Sequence, residues 1–164
     1  MLWAAAWPLF RLSPRPLFGW RRWLLRRFGA QIGSNVHIYP NVSITIPWNL
    51  RVDDGAAVGE GVLIYCLGPV HIGAQATVSH RAHLCAGSHD YLDPALPLMR
   101  ASITIGSQAW VCADAFVGPG VVVGDGAVVA AASVAMRDVP AWSVVAGNPA
   151  VVVKQRVMRS EHDR

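Results

Sequence analysis

Large aliphatic residues recur every six positions along most of the chain. Ile32, Ile38 and Ile44 form one run, Val52, Val58 and Ile64 a second, and Ile72, Val78 and Leu84 a third. Ile105, Val111, Val117, Val123 and Val129 form a fourth. A small or modest residue usually stands four positions after the aliphatic: Val36, Val42, Ala56, Val62, Ala76, Ala82, Ser88, Ala109, Ala115, Val121, Ala127 and Ser133. Glycine often follows the aliphatic directly, as at Gly33, Gly59, Gly73, Gly106, Gly118 and Gly124. Six is not a helical period; it suits short strands in which alternate residues share a face. Alternation alone fits any sheet, but one large aliphatic in six with a small partner demands regular corners. Glycine suits such corners because it tolerates positive φ. Three faces of this kind close a triangular coil of about 18 residues, and coils stack at about 4.8 Å. Residues Ile32 to Ala135 are therefore predicted to wind into a parallel β-helix with the aliphatic ladders inside. An ordinary Val-rich sandwich has no need of a six-residue register held this long.

The register breaks in three places. Two extra residues fall between Ile44 and Val52, near Pro47 and Trp48, and two more between Ile64 and Ile72, near Gly68 and Pro69. The large break, between Leu84 and Ile105, contains HDYLDPALPLMRAS. It predicts a loop projecting from the coil over residues 89–102, and loops on rigid scaffolds often carry function. Before the coils, GWRRWLLRRFG reads as an amphipathic helix with Trp20, Trp23, Leu24 and Phe28 on one side and Arg22 and Arg26, with Arg21 nearby, toward water or phosphate. The predicted organisation is an amphipathic helical arm at 1–30, a β-helix at 31–140, and a short loop and tail at 141–164.

Composition changes this picture at the two ends. Hydrophobic residues make up 53% of the chain and charged residues 15%. Net charge is +4, yet no acidic residue precedes Asp53, and the first 30 residues hold six arginines and four tryptophans. Two roles fit that arm, and they are compatible. It can cap the open end of the β-helix, as solenoids require, and it can rest on an anionic membrane surface, which Trp and Arg favour. No nucleic-acid reading motif accompanies the arginines. The opening MLWAAAWPLF lacks a positive n-region and is interrupted by Pro8, so it is read as retained. No run of apolar residues is long enough to span a bilayer. Cys66, Cys85 and Cys112 form no CxxC pair and read as free thiols in a reducing compartment.

The order of the pieces WLLRRFGAQIG, HLCAGSHDY, ITIGSQAWVCADAFVGPGVVVGDGAVVAAASVAMRDVP and AWSVVAGNPAVVVK resembles the hexapeptide-repeat acetyltransferases. It is closest to the colanic acid and capsular polysaccharide O-acetyltransferases and the galactoside and maltose acetyltransferases. The resemblance covers about residues 20 to 157. It implies an all-β fold, a left-handed parallel β-helix with a short N-terminal helical segment and a short C-terminal tail. The handedness comes from the family and not from the spacing. It also implies acetyl transfer from acetyl-CoA to a saccharide hydroxyl, with no metal. His89 matches the family's catalytic histidine, and a neutral imidazole can take the proton of a hydroxyl as it attacks a thioester. Asp90, Asp93 or a backbone carbonyl could hold its tautomer. His71, 18 residues earlier, would lie one coil below His89 at the same corner, either flanking it or as a stacked surface residue. Trp110 matches a tryptophan that lines the family's site; its plainer role is packing between subunits. The family binds its coenzyme along the β-helix between subunits, and the matching positions are Ala113, Ala131, Met136, Arg137, Asn148, Pro149 and Lys154, with Arg156 a further basic group. Met136 departs from the Thr often found there, which puts a hydroxyl contact in doubt.

The acidic helical domain of the galactoside type is replaced by the Trp- and Arg-rich arm, which suits a lipid-linked acceptor or an exopolysaccharide or capsule precursor. The resemblance further implies a homotrimer, and the expected location is cytoplasmic, peripheral on the inner face of the cell membrane. Competing readings are an amino-sugar N-acetyltransferase and a non-enzymatic assembly subunit. A γ-type carbonic anhydrase shares the fold, but the spacing of His71, His80, His83 and His89 lacks its His-x4-His pair.

Overall fold

The structure, a computed structural model, describes residues 2–158; the end of the predicted tail, 159–164, lies outside the described residues. Two helices come first, α1 (Leu2–Arg11) and α2 (Phe18–Arg27). Five coils of three short strands follow. They are β1 (Gln31–Ile32), β2 (His37–Ile38) and β3 (Ser43–Ile44), then β4 (Leu50–Val52), β5 (Ala57–Val58) and β6 (Leu63–Tyr65). The third coil is β7 (Val70–Ile72), β8 (Thr77–Val78) and β9 (His83–Cys85), from which a hairpin departs, β10 (Gly87–His89) and β11 (Leu98–Arg100). The fourth is β12 (Ile103–Ile105), β13 (Trp110–Val111) and β14 (Phe116–Val117), and the fifth β15 (Val122–Val123), β16 (Val128–Val129) and β17 (Val134–Ala135). A closing hairpin, β18 (Ser143–Gly147) and β19 (Ala150–Gln155), ends the described chain.

Strands one coil apart pair in parallel and form three faces. The first is β1-β4-β7-β12-β15, the second β2-β5-β8-β13-β16-β18 with β19 antiparallel at its edge, and the third β3-β6-β9-β14-β17. Every predicted interior aliphatic is buried, and so is every small partner except Ser88. Ser88 is exposed because β10 has already left the coil, and Ala86 takes the interior position instead.

Coil length is not uniform. Corner contacts join residues 20 apart between the early coils, as Ser34 to Asp54 and Gly61 to Asn41, and 18 apart later, as Ser107 to Asp125. The extra residues bulge at the corner after the third face, where Pro47–Asn49 forms a single 3-10 turn. The six glycines that follow the aliphatics do not adopt positive φ. They are required because the next coil presses on them: a Cβ on Gly106 would lie 2.5 Å from the Asp125 amide nitrogen. Positive φ falls two residues further on, at non-glycine residues Asn35, Gln75 and Gln108 in three of the six cases.

Three of the four arginines of α2 turn onto the first coil, and Arg27 is exposed. Arg21 is fully buried, and Leu24 and Leu25 beside it are core. Arg21 Nε donates to the Ile38 carbonyl (2.6 Å), Nη1 to Ser13 Oγ (2.8 Å) and the Pro14 carbonyl (3.0 Å), and Nη2 to the Arg15 carbonyl (2.6 Å). Arg22 donates to the Val36 carbonyl and Arg26 to those of Ile32 and Gly33. The first coil has no coil before it, so one row of its backbone acceptors lacks strand partners, and a buried acceptor must find a donor. Guanidinium, with five N–H groups, supplies them. Trp20 and Trp23, expected with Leu24 on the apolar side, are exposed and stack on each other at 5.1 Å. The prediction thus holds for Leu24 and Phe28 but is overturned for Trp20, Trp23 and the three arginines, and a capping role is what the contacts show.

Candidate functional site

The third coil and the hairpin that leaves it set the geometry. Ala86 and Gly87 carry the chain off the third face, and β10 pairs antiparallel with β11, His89 opposite Leu98. The turn between them is shaped by its own aspartates: Asp90 Oδ1 accepts the Leu92 amide and Asp93 Oδ1 the Ala95 amide. His89 is exposed, and its Nδ1 is hydrogen-bonded to the Leu96 carbonyl across the hairpin. A carbonyl only accepts, so the proton of the neutral ring sits on Nδ1 and the Nε2 lone pair is left outward. Of the three orienting groups considered from the sequence, a backbone carbonyl makes this contact, and each aspartate has an oxygen engaged by the turn.

His71 is not beneath His89. It lies on the first face with Arg51 below and Thr104 above, and its Nε2 is 2.7 Å from Asp53 Oδ2. The count of 18 residues fails because the early coils take 20 and because His89 stands on the hairpin. Burial pushes the Asp53 carboxyl upward, but hydrogen bonds from His71 and Arg51 outweigh it and hold the group below its usual value.

Trp110 is on the second face between Thr77 and Val128, half-exposed, with its indole N–H donating to Ser79 Oγ (2.8 Å). The cavity it lines, with Gln75, Thr77 and Gln108, does not include His89. An adjacent hollow of about 340 Å³ on the same face is lined by Arg15, Tyr39, Glu60, Thr77, Ser79 and His80. There Arg15 pairs with Glu60 at 3.3 Å and lies over the Tyr39 ring. Sequence reasoning missed this group, because its members come from the arm and three coils; their common corner position in consecutive repeats was the available signal.

The positions matched to coenzyme binding divide between two corners. Ala113 and Ala131 stack at the corner between the second and third faces, where the Ala132 amide donates to the Ala113 carbonyl. Met136 and Arg137 are exposed at the corner after the third face. Asn148 and Pro149 form the exposed turn of the closing hairpin, joined by a cis peptide, and Lys154 is exposed on β19. Arg156 is engaged otherwise: its Nη1 donates to the carbonyls of Gln108 and Gly126.

Burial pushes the Cys66 and Cys112 thiols up, so both stay protonated near neutrality, and Cys85 donates its S–H to the Gly87 carbonyl. Among the described residues, no three His, Cys, Asp or Glu side chains gather as a metal site would need, and no helix is long and apolar enough to cross a membrane.

No family model matches the chain. It is 46% identical over 155 residues to WcaF of Escherichia coli (strain K12), a protein named for acetyl transfer in colanic acid biosynthesis; the match covers 94% of this chain and 85% of that protein. It is 32% identical over 135 residues to the galactoside O-acetyltransferase of Escherichia coli (strain K12), covering 79% of this chain and 59% of that protein. A crystal structure of a hexapeptide-repeat-containing acetyltransferase from Vibrio cholerae, complexed with acetyl coenzyme A, superposes with a TM-score of 0.84 at 22% identity, covering 94% of this chain and 85% of that one. This likeness of fold makes the winding a left-handed parallel β-helix.

Proposed function

The chain belongs to the hexapeptide-repeat acetyltransferases, and from that premise we propose that it moves an acetyl group from acetyl-CoA to a hydroxyl of a saccharide, with His89 as general base. That it is an acetyltransferase follows from the family; the acceptor and the base are the proposal. The observation that carries it is the Nδ1 contact to the Leu96 carbonyl, which leaves Nε2 as the only ring atom able to accept a proton. Nε2 takes the hydroxyl proton as the oxygen bonds to the thioester carbonyl carbon. The tetrahedral adduct then breaks its C–S bond, and the sulfur leaves with the proton returned from Nε2. Charge and protons balance without a covalent enzyme intermediate.

The colanic acid relative and the Trp- and Arg-rich arm support an exopolysaccharide, capsule or lipid-linked precursor as acceptor. The hollow beside Trp110, with one aromatic wall at Tyr39 and hydrogen-bonding groups at Glu60, Ser79 and His80, has the mixed lining a sugar ring needs. Surface polysaccharide from cells with and without the gene should differ by one acetyl group, released by mild alkali. Identical masses would remove the pathway assignment, and an alkali-stable acetyl group would move the acceptor to an amine.

Coenzyme contacts at Ala113, Ala131, Met136, Arg137, Asn148, Pro149 and Lys154 belong to the same reading. Ala113 and Ala131 add only a Cβ at their corner, which leaves the backbone within reach of an extended pantetheine arm. Met136 and Arg137 occupy the next corner, so one chain offers these contacts on two edges.

Within one chain the cavity lined by Trp110 does not include His89, and in the homotrimer we propose, a hairpin from one copy meets the second face of another. Two surfaces support it. The hairpin bares Tyr91, Leu92, Leu98 and Met99. The third face presents an outward row of Leu63, His83, Phe116 and Val134 in register, with His83 edge-on to Phe116 at 5.1 Å. Burial pushes the His83 imidazole down, toward its neutral form, and its Nε2 is buried without a hydrogen-bond partner. An apolar strip of this length on a monomer would be left to water. Light scattering at micromolar protein should give three times the chain mass for the native protein. Phe116→Glu should reduce it toward the chain mass and abolish transfer activity together. A native monomer, or a fully active Phe116→Glu monomer, ends the trimer reading.

A further inference from the structure

The outward turn of Trp20 and Trp23 leaves an unexplained surface. With Arg21, Arg22 and Arg26 turned onto the first coil, the two helices and the turn between them leave Leu9, Leu12, Leu17, Trp20 and Trp23 exposed, with Leu12 at 81% and Trp23 at 50%. The residues are contiguous: Leu9, Leu12, Leu17 and Trp20 line one shallow groove of about 270 Å³, and Trp20 stacks on Trp23. Trp20 Nε1 donates to the Leu9 carbonyl at 3.1 Å, which ties α1 to α2 and makes the patch one surface.

We propose that this patch is a docking surface for a lipid bilayer, inserted at the headgroup boundary with a modest preference for anionic lipid. Three observations select a bilayer as occupant. The Trp20 indole N–H is already satisfied inside the protein, so its transfer into an apolar layer strands no donor. The rim is cationic: Arg11 lies 5.0 Å from the Trp7 ring centre and Arg27 5.8 Å from that of Trp23, both exposed and positioned for phosphate groups. No carboxylate exists before Asp53 to oppose an anionic surface. Paired tryptophans beside exposed leucines are the composition that settles at a membrane interface. The patch is distinct from the acetyl-transfer site, and the inference stands or falls without it.

The arm has six arginines, but three are engaged with the first coil and Arg15 with Glu60. Only two remain for lipid, so apolar contact carries most of the affinity, and added salt should weaken binding less than the arginine count suggests.

The test is co-sedimentation of the full-length protein with vesicles of phosphatidylcholine alone or mixed with phosphatidylglycerol. Native protein should bind both, the mixed vesicles roughly 10- to 30-fold more tightly, at about fivefold per rim arginine. Leu12→Asp combined with Trp23→Asp should lose at least about tenfold on both vesicles while keeping the native melting temperature, since both side chains are exposed. Arg11→Gln with Arg27→Gln should remove only the anionic preference. Point substitutions are preferred to deletion of the arm, which would also strip Trp3 and Phe10 from the core. Absence of native binding to either vesicle overturns the proposal, as does an unaffected Leu12→Asp/Trp23→Asp variant. A change in assembly mass in that variant overturns it as well, by assigning the patch to contact between copies of the chain.

Discussion

Replacing His89 by alanine should lower kcat by about 10² to 10⁴ while leaving the fold, the assembly and coenzyme affinity unchanged. The side chain is exposed on a hairpin, and its side-chain hydrogen bond is to the Leu96 carbonyl of an exposed residue, so its removal strands no buried group. Its proposed task is confined to the transition state, where the acceptor proton moves to Nε2. A loss of that kind appears in kcat with little change in coenzyme binding. His71→Ala should cost far less: His71 is bound to Asp53 on another face and has no path to the hairpin. Cys85→Ala and Cys112→Ala should keep activity, because direct transfer needs no thiolate. Steady-state transfer to the true acceptor, with coenzyme titration alongside, decides the matter. Near-normal kcat in His89→Ala with a dead cysteine variant would replace direct transfer by an acetyl-enzyme.

The second large effect is on stability. Arg21→Met should destabilise the protein by about 3 kcal/mol, because the buried Ile38 carbonyl and Ser13 hydroxyl lose their donor together with the partly buried Pro14 and Arg15 carbonyls, and a stranded buried polar group costs about 1–3 kcal/mol. The separate costs are not additive, since the four contacts share one side chain. For a chain of this size that corresponds to a fall in Tm of about 6–12 °C. Arg21→Lys should recover little, since an ammonium cannot reach acceptors on both sides of a planar fork. Arg11→Met, at an exposed position, should melt with the native protein. A Tm for Arg21→Met within about 2 °C of the native value would show that the cap contributes nothing to holding the first coil.

These two residues mark how far the sequence could be read. The interior was legible because a buried ladder repeats the same demand at every coil: Ile38, Val58, Val78, Val111 and Val129 stack in one column of the second face. The hairpin was legible as a gap in that repetition. Arg21 was not, since helical amphipathicity assigns arginine to water, and only the position of the coil end shows that carbonyls wait there. The glycines serve a different need from the one expected, because close approach between coils is a property of neighbours one coil away and not of local φ. His89 was identified through its family resemblance, while its orienting group depended on a backbone carbonyl, which every residue carries and no sequence distinguishes. The pairing of His71 with His89 failed because a count of six was carried through inserted residues.

The departure and return of the hairpin carry a consequence for how such chains diversify. β7 pairs with β12 residue for residue, Val70 with Ile103 and Ile72 with Ile105, although a whole excursion separates them in sequence. The lattice of coils closes over the gap as if nothing had been inserted. Lengthening a loop whose ends are already fixed costs little, about 0.6 kcal/mol for each doubling. Segments between Gly87 and Ala101 can therefore be exchanged, extended or reshaped at little cost to folding, while the ladder beneath holds their ends at constant separation. Under the proposed role of His89, grafting the hairpin of one relative onto another would exchange the base and its surroundings while leaving the coils intact.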